Sequence, residues 1–476
     1  SYATLDGSNS VVAYVTPPAN VLPTMGWTSS ASTEVNNYEV SGVGGAFGVS
    51  RFANTVRYTG AAGNQSLGSR TLVLSGLMNV GSGTLTISSG AALRIGSTQE
   101  LVLNAANAGI AISSTITDNT SGTSSLTIAG PSGVTLSGSN TYTGGTTITS
   151  GSLTLSGGTL GSGGLHVASG ASLNIDTSQT ISQAVTGSGA ISTTKTTTLS
   201  GDFSGFSGTF AHSATSTSDS TAFISTLAAS KDAAYSITTA QTNGQGLILG
   251  VFTGANTFEL GSLSGVAGSL LRNSTSVNAG TINTLRVGNL NTDTEFAGTL
   301  GGGGGTVALE KVGNGTLTLS GTNAYTGDTL VSAGTLLVTG ALGNTAVTVD
   351  GGTFGGTGVV GGSFSLDSGF FHVADLADPL DVTGTVTLFS GFGVGDLLGL
   401  NWSEVTNGTY TLINGTLGTG VFGSLANNSL ISAFDLGSGR SAYFQEGSLQ
   451  LVVVPEPGAA LLGSLGVLAL LRRRRA

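Results

Sequence analysis

Carboxylates and histidines are the side chains from which this chain would have to build catalysis, and they are sparse. Asp375, Asp378 and Asp381 form the densest acidic group. Grouped carboxylates can divide general acid and base work on a glycosidic bond, or ligate calcium. Spacing by threes with Pro379 inside the group fits a solvated loop better than such a site. Asp293 and Glu295 are two residues apart, which on a strand places them on one face, and an exposed polar face accounts for them. His166, His212 and His372 stand alone, with no His-x-x-x-His or His-Glu-x-x-His spacing for zinc. No lysine follows a glycine, so there is no GxxxxGK phosphate loop, and neither a GxSxG elbow nor a GGxGxD calcium repeat occurs. The chain therefore reads as non-enzymatic, with no metal and no cofactor expected.

Composition narrows the class. Of 476 residues only 8% are charged and 39% are hydrophobic, with 79 glycines and a mean hydropathy of +0.30. Disordered chains combine low hydropathy with high charge, and this chain does the opposite. Seven prolines and no Gly-X-Y period exclude collagen. Four of the 14 basic residues crowd into the last five positions, leaving 10 against 24 acids elsewhere. A body that acidic is a poor partner for polyanions, so nucleic acid is not expected. With no cysteine there are no disulfides and no thiol chemistry, which suits an exported bacterial protein. The sequence starts at Ser1 without Met, which fits either a removed export signal or a fragment.

The elements that would position any site are short Val, Ile and Leu strings between glycines. LSGSNTYTGGTTITSGSLTLSG at 136–157 aligns without a gap to LSGTNAYTGDTLVSAGTLLVTG at 319–340, with 11 identities in 22 positions. A weaker echo, TLSGDFSGFSGTF, lies at 198–210. Leu317 and Leu319, and Leu336 in the following string, are expected as strand cores. Gly321, Gly327 and Gly334 are expected at corners. Asn323 is expected to bond its own backbone at a bend, and Tyr325 to cover the corner. The intervals Val134–Leu153–Leu173 and Leu317–Leu336 are 19 or 20 residues. Three short strands and three turns per period suit one coil of a parallel β-helix. Carried along the chain, about 20 coils at ~4.8 Å would give a length on the order of 100 Å.

LEKVGNGTLTLSGTNAYTGDTLVSAGTLLV at 309–338 resembles the autotransporter-associated β-strand repeat, also called the passenger-associated transport repeat. Lys311, Gly313, Gly315, Leu317, Leu319, Gly321, Asn323, Tyr325, Thr326, Gly327, Gly334 and Leu336 carry the resemblance. The copy at 134–157 lacks the Lys-x-Gly lead-in. The resemblance implies an all-β chain, a right-handed parallel β-helix within an exported passenger. Classical autotransporters end in a membrane β-barrel, and the roughly 110 residues between 340 and the tail are too few and too glycine-rich for one. The expected organisation is an N-terminal cap or solenoid start at 1–80, β-helix at 81–210, an irregular section at 211–300, β-helix at 301–359 and a C-terminal β cap at 360–453. TAFISTLAASKDAAYS at 221–236 reads as a short helix or an excursion from the coil, and Gly301–Gly305 as a joint or wide turn.

The tail differs from everything before it. Pro455, Glu456 and Pro457 precede an uncharged stretch, Gly458 to Leu471, containing Leu461, Leu462, Leu465, Val467, Leu468, Leu470 and Leu471. Arg472, Arg473, Arg474 and Arg475 follow as a basic stop. Residues 454–476 resemble the PEP-CTERM sorting signal of Gram-negative bacteria. That resemblance implies a short C-terminal transmembrane helix held in the inner membrane, with arginines on the cytoplasmic side. It also implies cleavage near the Pro-Glu-Pro motif by an exosortase-type peptidase, and a polysaccharide-rich extracellular setting. The leading expectation is an exported structural or adhesive surface protein. The rivals are a polysaccharide-active β-helix lyase or hydrolase and a non-catalytic glycan-binding module.

Overall fold

A computed structural model describes residues 3–5, 11–13, 37–213, 221–240, 246–250, 254–445 and 449–456. The chain divides into two compact units, 1–250 and 251–476.

In the first unit short strands stack in parallel on three sides of a coil. One side runs Asn37–Val40, Thr55–Tyr58, Gly76–Asn79, Glu100–Asn104, Ser125–Ala129, Thr146–Ile148, Leu165–Val167, Val185–Gly187 and Gly205–Phe206. A second side begins at Gly63–Ser66 and continues coil upon coil to Ala234–Ile237. The third side is interrupted. Its first sheet ends at Ile116–Thr117, its next begins at Gln179–Ile181, and between them only the isolated bridge Ser139–Thr159 marks it. The segment 221–236 follows the coil, with strands Ala222–Ile224 and Ala234–Ile237 and turns between.

Alternation decides which side chains go inside. Val134 lies against Leu153 and Leu153 against Leu173, so the sequence interval of 19 or 20 residues is one coil. The same column continues through Ile191 and Phe210 to Tyr235, each at most 1% exposed. Full burial of one such side chain is worth roughly 1.5–3 kcal/mol. No single coil can bury its own face, so stacking creates the core.

The second unit repeats this scheme and then closes it. Ala255–Leu260, Ile282–Val287, Thr306–Lys311 and Thr329–Val331 stack in parallel on one side. Thr294–Phe296, Thr316–Leu319 and Thr335–Val338 stack on another, where Leu317 faces Leu336. Gly301–Gly305 forms the turn into Thr306–Lys311, with Gly301, Gly302, Gly303 and Gly305 at positive φ. Three nine-residue strands, Val347–Gly355, Phe364–His372 and Leu380–Leu388, extend the coils past residue 360. A four-stranded antiparallel sheet then caps them, in the order Gly408–Thr411, Gln450–Pro455, Arg440–Gln445, Phe434–Gly437. Phe392 stacks on Phe444 of that sheet at 5.8 Å between ring centroids. Arg440 donates its guanidinium to the carbonyls of Trp402 and Val405, tying the sheet to the preceding loop.

The parallel β-solenoid and its antiparallel cap stand, but the transmembrane helix does not. Among the described residues no helix is long and apolar enough to cross a membrane. Length is the physical reason, since Gly458 to Leu471 as a helix would span about 21 Å against about 30 Å of hydrocarbon. Residues 457–476 lie outside the described residues. Inner-membrane anchoring falls with that helix, and nothing among the described residues supports an exosortase-type partner.

Leu153→Ala empties one position of the continuous column and is expected to cost about 2–5 kcal/mol. Chemical denaturation followed by far-ultraviolet circular dichroism measures it, and a loss below about 1 kcal/mol would contradict close packing between coils.

Candidate functional site

The two repeat copies build the same corner, and their shared residues meet there. Asn323 is 2% exposed. Its Oδ1 accepts from the Leu300 amide at 2.9 Å, and its Nδ2 donates to the Ala341 carbonyl at 3.1 Å and the Gly321 carbonyl at 3.2 Å. Asn140 does the same, accepting from Ile116 N at 2.8 Å and donating to Thr159 O at 2.7 Å. Each asparagine therefore bridges the coil before to the coil after. The expected self-contained bend is only a minor part of its role.

Tyr325 and Tyr142 lie inside the solenoid, 1% and 0% exposed, where a corner cover was expected. The Tyr325 and Thr329 hydroxyls are 2.8 Å apart, and those of Tyr142 and Thr146 are 2.6 Å apart. Thr329 continues to Thr345 at 3.0 Å, and Thr345 donates to the Gly327 carbonyl at 2.6 Å. Burial raises both tyrosine pKa values, while the threonine hydrogen bonds pull the other way. Thr326 stays exposed. Its counterpart Thr143 donates backbone and side chain to Asp118 at 2.9 and 2.7 Å.

Backbone crowding explains the glycines. A Cβ on Gly321 would sit 1.9 Å from the Gly298 carbonyl oxygen of the preceding coil. Gly313 and Gly334 add positive φ, 66° and 61°, to equally close approaches. Gly315 and Gly327 are likewise pressed against the carbonyls of Thr292 and Val307. Leu317, Leu319 and Leu336 are buried strand residues.

Lys311, the lead-in residue, is 1% exposed. Its Nζ donates to the carbonyls of Val312 at 2.7 Å, Gly313 at 2.9 Å and Ala333 at 3.3 Å, the last on the next coil. Burial pulls its pKa down to about 8, opposed by the charge of Asp293. Ile128 stands at the matching position of the other copy and is fully buried. The lysine cradle and the threonine relay were missed from sequence. Thr146/Thr329 was among the shared residues, four positions after the tyrosine, and was the available signal for the relay.

The candidate chemical residues serve the coils. Asp293 accepts from Thr316 N at 2.7 Å, and Glu295 accepts from the Ser320 hydroxyl, both on the following coil. Asp375 caps its own turn at Ala377 N, 2.8 Å, and Asp381 accepts from Asn414 Nδ2 at 3.0 Å. Asp378 lies exposed in the loop between them. Among the described residues no three His, Cys, Asp or Glu side chains gather as a metal would need. His166 is exposed with Nδ1 3.0 Å from the Thr186 hydroxyl, and His212 is buried. His372 is half-buried, its pKa lowered by burial. Pro455 ends the strand Gln450–Pro455, and Glu456 N donates to Gly439 O at 2.8 Å. Pro457, the apolar stretch and the four arginines lie outside the described residues.

This corner is the passenger-type repeat in three dimensions. The passenger-associated-transport-repeat family matches residues 121–155 and 309–338, which contain both Asn-x-Tyr-x-x-x-Thr corners. The similarity covers those two stretches and defines the repeat, not the whole chain. No curated protein and no solved structure matches the chain. The chain is thus a repetitive parallel β-solenoid carrying passenger-type repeats.

Asn323→Ala strands the Leu300 amide and an Ala341 lone pair, and is expected to cost about 1–3 kcal/mol, against about 1 kcal/mol for Tyr325→Phe. Denaturation of both variants measures the difference, and equal small losses would deny the bridge. Lys311 carries a pH signature. Its folded pKa is below the unfolded value of 10.5, so between about pH 8 and 10.5 the unfolded chain binds more protons and this residue's contribution to stability rises with pH. Tyr325, whose pKa is raised, contributes stability that is lost as pH climbs above 10. Between pH 8 and 10 the native protein should therefore gain up to about 2–3 kcal/mol relative to Lys311→Met. Parallel pH-stability curves would remove the assignment.

Proposed function

We propose that the chain is an exported structural or adhesive surface protein whose solenoid presents an uncharged, hydrated face. The observation that carries this reading is that both repeat corners spend their asparagine, tyrosine and following threonine inward, where the asparagines hold coil to coil. Outside, the stacked positions Thr127, Thr147, His166 and Thr186, and Thr135, Thr154, Asn174 and Ser192, form columns of hydroxyl, amide and imidazole groups. Charges also serve stacking: Arg286 reaches Glu259 at 3.0 Å and Glu310 at 3.3 Å on neighbouring coils. Passenger-type repeats support an extracellular destination.

The PEP-CTERM-like tail is proposed as a sorting signal that is removed by cleavage at Pro455-Glu456-Pro457. Two facts support this. Pro455 and Glu456 are exposed at the end of the last strand, and the antiparallel sheet is complete by that point. A peptidase could therefore act there without unravelling the cap.

Intact-mass analysis of protein recovered from its native host, with antibody labelling of unbroken cells, tests both parts. The expected product ends within 455–457 and is labelled on intact cells. Arg472–Arg475 retained on the labelled form would remove the processing step, and protein confined to the cytoplasm would remove the surface role.

A further inference from the structure

An asparagine amide can accept a sugar covalently when it stands in the triplet Asn-x-Ser/Thr on an accessible loop. The sequence holds eight such triplets, and in a chain this rich in serine and threonine the triplet alone selects nothing. The fold does the selecting. Asn119, Asn273 and Asn427 spend their Nδ2 on the carbonyls of Ile95, Gly304 and Ser432, the first two in the interior. Asn414 Nδ2 donates to Asp381 at 3.0 Å, and Asn64 holds the Ser88 hydroxyl of the next coil. Asn314, Asn401 and Asn407 remain, exposed and with Nδ2 unbonded among the described residues.

Asn401 is set apart from the other two by the third residue of its triplet. Ser403 donates its hydroxyl to Asn401 Oδ1 at 2.8 Å and its backbone N–H to the same oxygen at 3.3 Å. Glu404 N and Val405 N close the turn on the Asn401 carbonyl at 2.9 and 3.2 Å. Arg440 anchors the loop through the carbonyls of Trp402 and Val405, while Asn401 and Ser403 stay exposed. Thr316 and Thr409, which complete the triplets of Asn314 and Asn407, make no such bond. We propose that Asn401 is a glycosylation site, whose Nδ2 accepts a sugar from a diphosphate-activated donor.

The turn suits that chemistry. An amide nitrogen is a weak nucleophile because its lone pair is delocalised into the carbonyl. Two donors on Oδ1 draw charge toward the oxygen and make an Nδ2 proton easier to remove. In the transfer, Nδ2 attacks the anomeric carbon and a C–N bond forms. The C–O bond to the donor's diphosphate breaks, the diphosphate leaves with the electron pair, and one Nδ2 proton passes to a base of the host's glycosyltransferase. This explains why the serine must follow by two, since that hydroxyl is the group placed on Oδ1. The tail and its cleavage play no part in the inference.

Peptide mass spectrometry of the full chain purified from its native host tests it, as wild type and as Asn401→Gln, Ser403→Ala and Ser403→Thr. The wild-type peptide containing Asn401 is expected to carry a sugar. Asn401→Gln and Ser403→Ala should lose it and Ser403→Thr should keep it, with thermal midpoints unchanged because all three positions face solvent. Sugars added one at a time would identify a nucleotide-linked donor, and a single block of several sugars a lipid-linked one; both support the site. An unmodified Asn401 in the wild type, or a sugar that survives Ser403→Ala, would overturn it. C-terminal processing is read on a different peptide, so failure of either reading leaves the other standing.

Discussion

The strands of this solenoid satisfy their backbone through the coil before and the coil after, while turns close locally. Strand pairing is parallel within both solenoid stacks, so no hairpin closes locally, and each strand N–H must find a carbonyl a full coil away. Everything else follows from keeping successive coils at one strand spacing. Inward columns such as Val134, Leu153 and Leu173 must be apolar and pack coil on coil, and corners must pass close enough for carbonyl oxygens to exclude a Cβ. The composition is a consequence of that geometry.

Corners are where parallel stacking is weakest, because strand pairing lapses there. The repeat answers with side chains in place of backbone. Asn140 and Asn323 carry hydrogen bonds across three successive coils, and buried hydroxyl pairs occupy the interior beside them. Other corners use the same device without the rest of the signature. Asn79 donates to Gly83 and Gly109, and Asn273 donates to Gly304. Polar groups in so apolar an interior are tolerated because they are paired. Gln179 Nε2 and Gln183 Oε1, buried and without a partner, are among the exceptions to that pattern.

Strand interiors were legible from sequence, since alternation and a fixed coil length are local information. The interval Leu317 to Leu336 is a direct register pair. Corner residues were not legible in the same way. No periodicity tells whether Tyr325 points in or out, and the partners of Asn323 lie 23 residues before and 18 after it. The stretch beyond 360 was expected to be cap throughout, because alternation does not distinguish parallel from antiparallel pairing. Phe364–His372 and Leu380–Leu388 pair in parallel, and the antiparallel sheet begins only at Gly408. The tail misled through composition. Its hydropathy resembled a membrane helix while its length fell short of one.

The position of the last strand sets a limit on the C terminus. Gln450–Pro455 lies between Gly408–Thr411 and Arg440–Gln445, so it belongs to the middle of its sheet and not to an edge. Removal of chain beyond Glu456 leaves both of its ladders whole. Loss of six residues more would split the sheet in two and uncover Phe444, and with it the aromatic seal on the final coil. The molecule tolerates trimming up to that strand and has almost no margin past it.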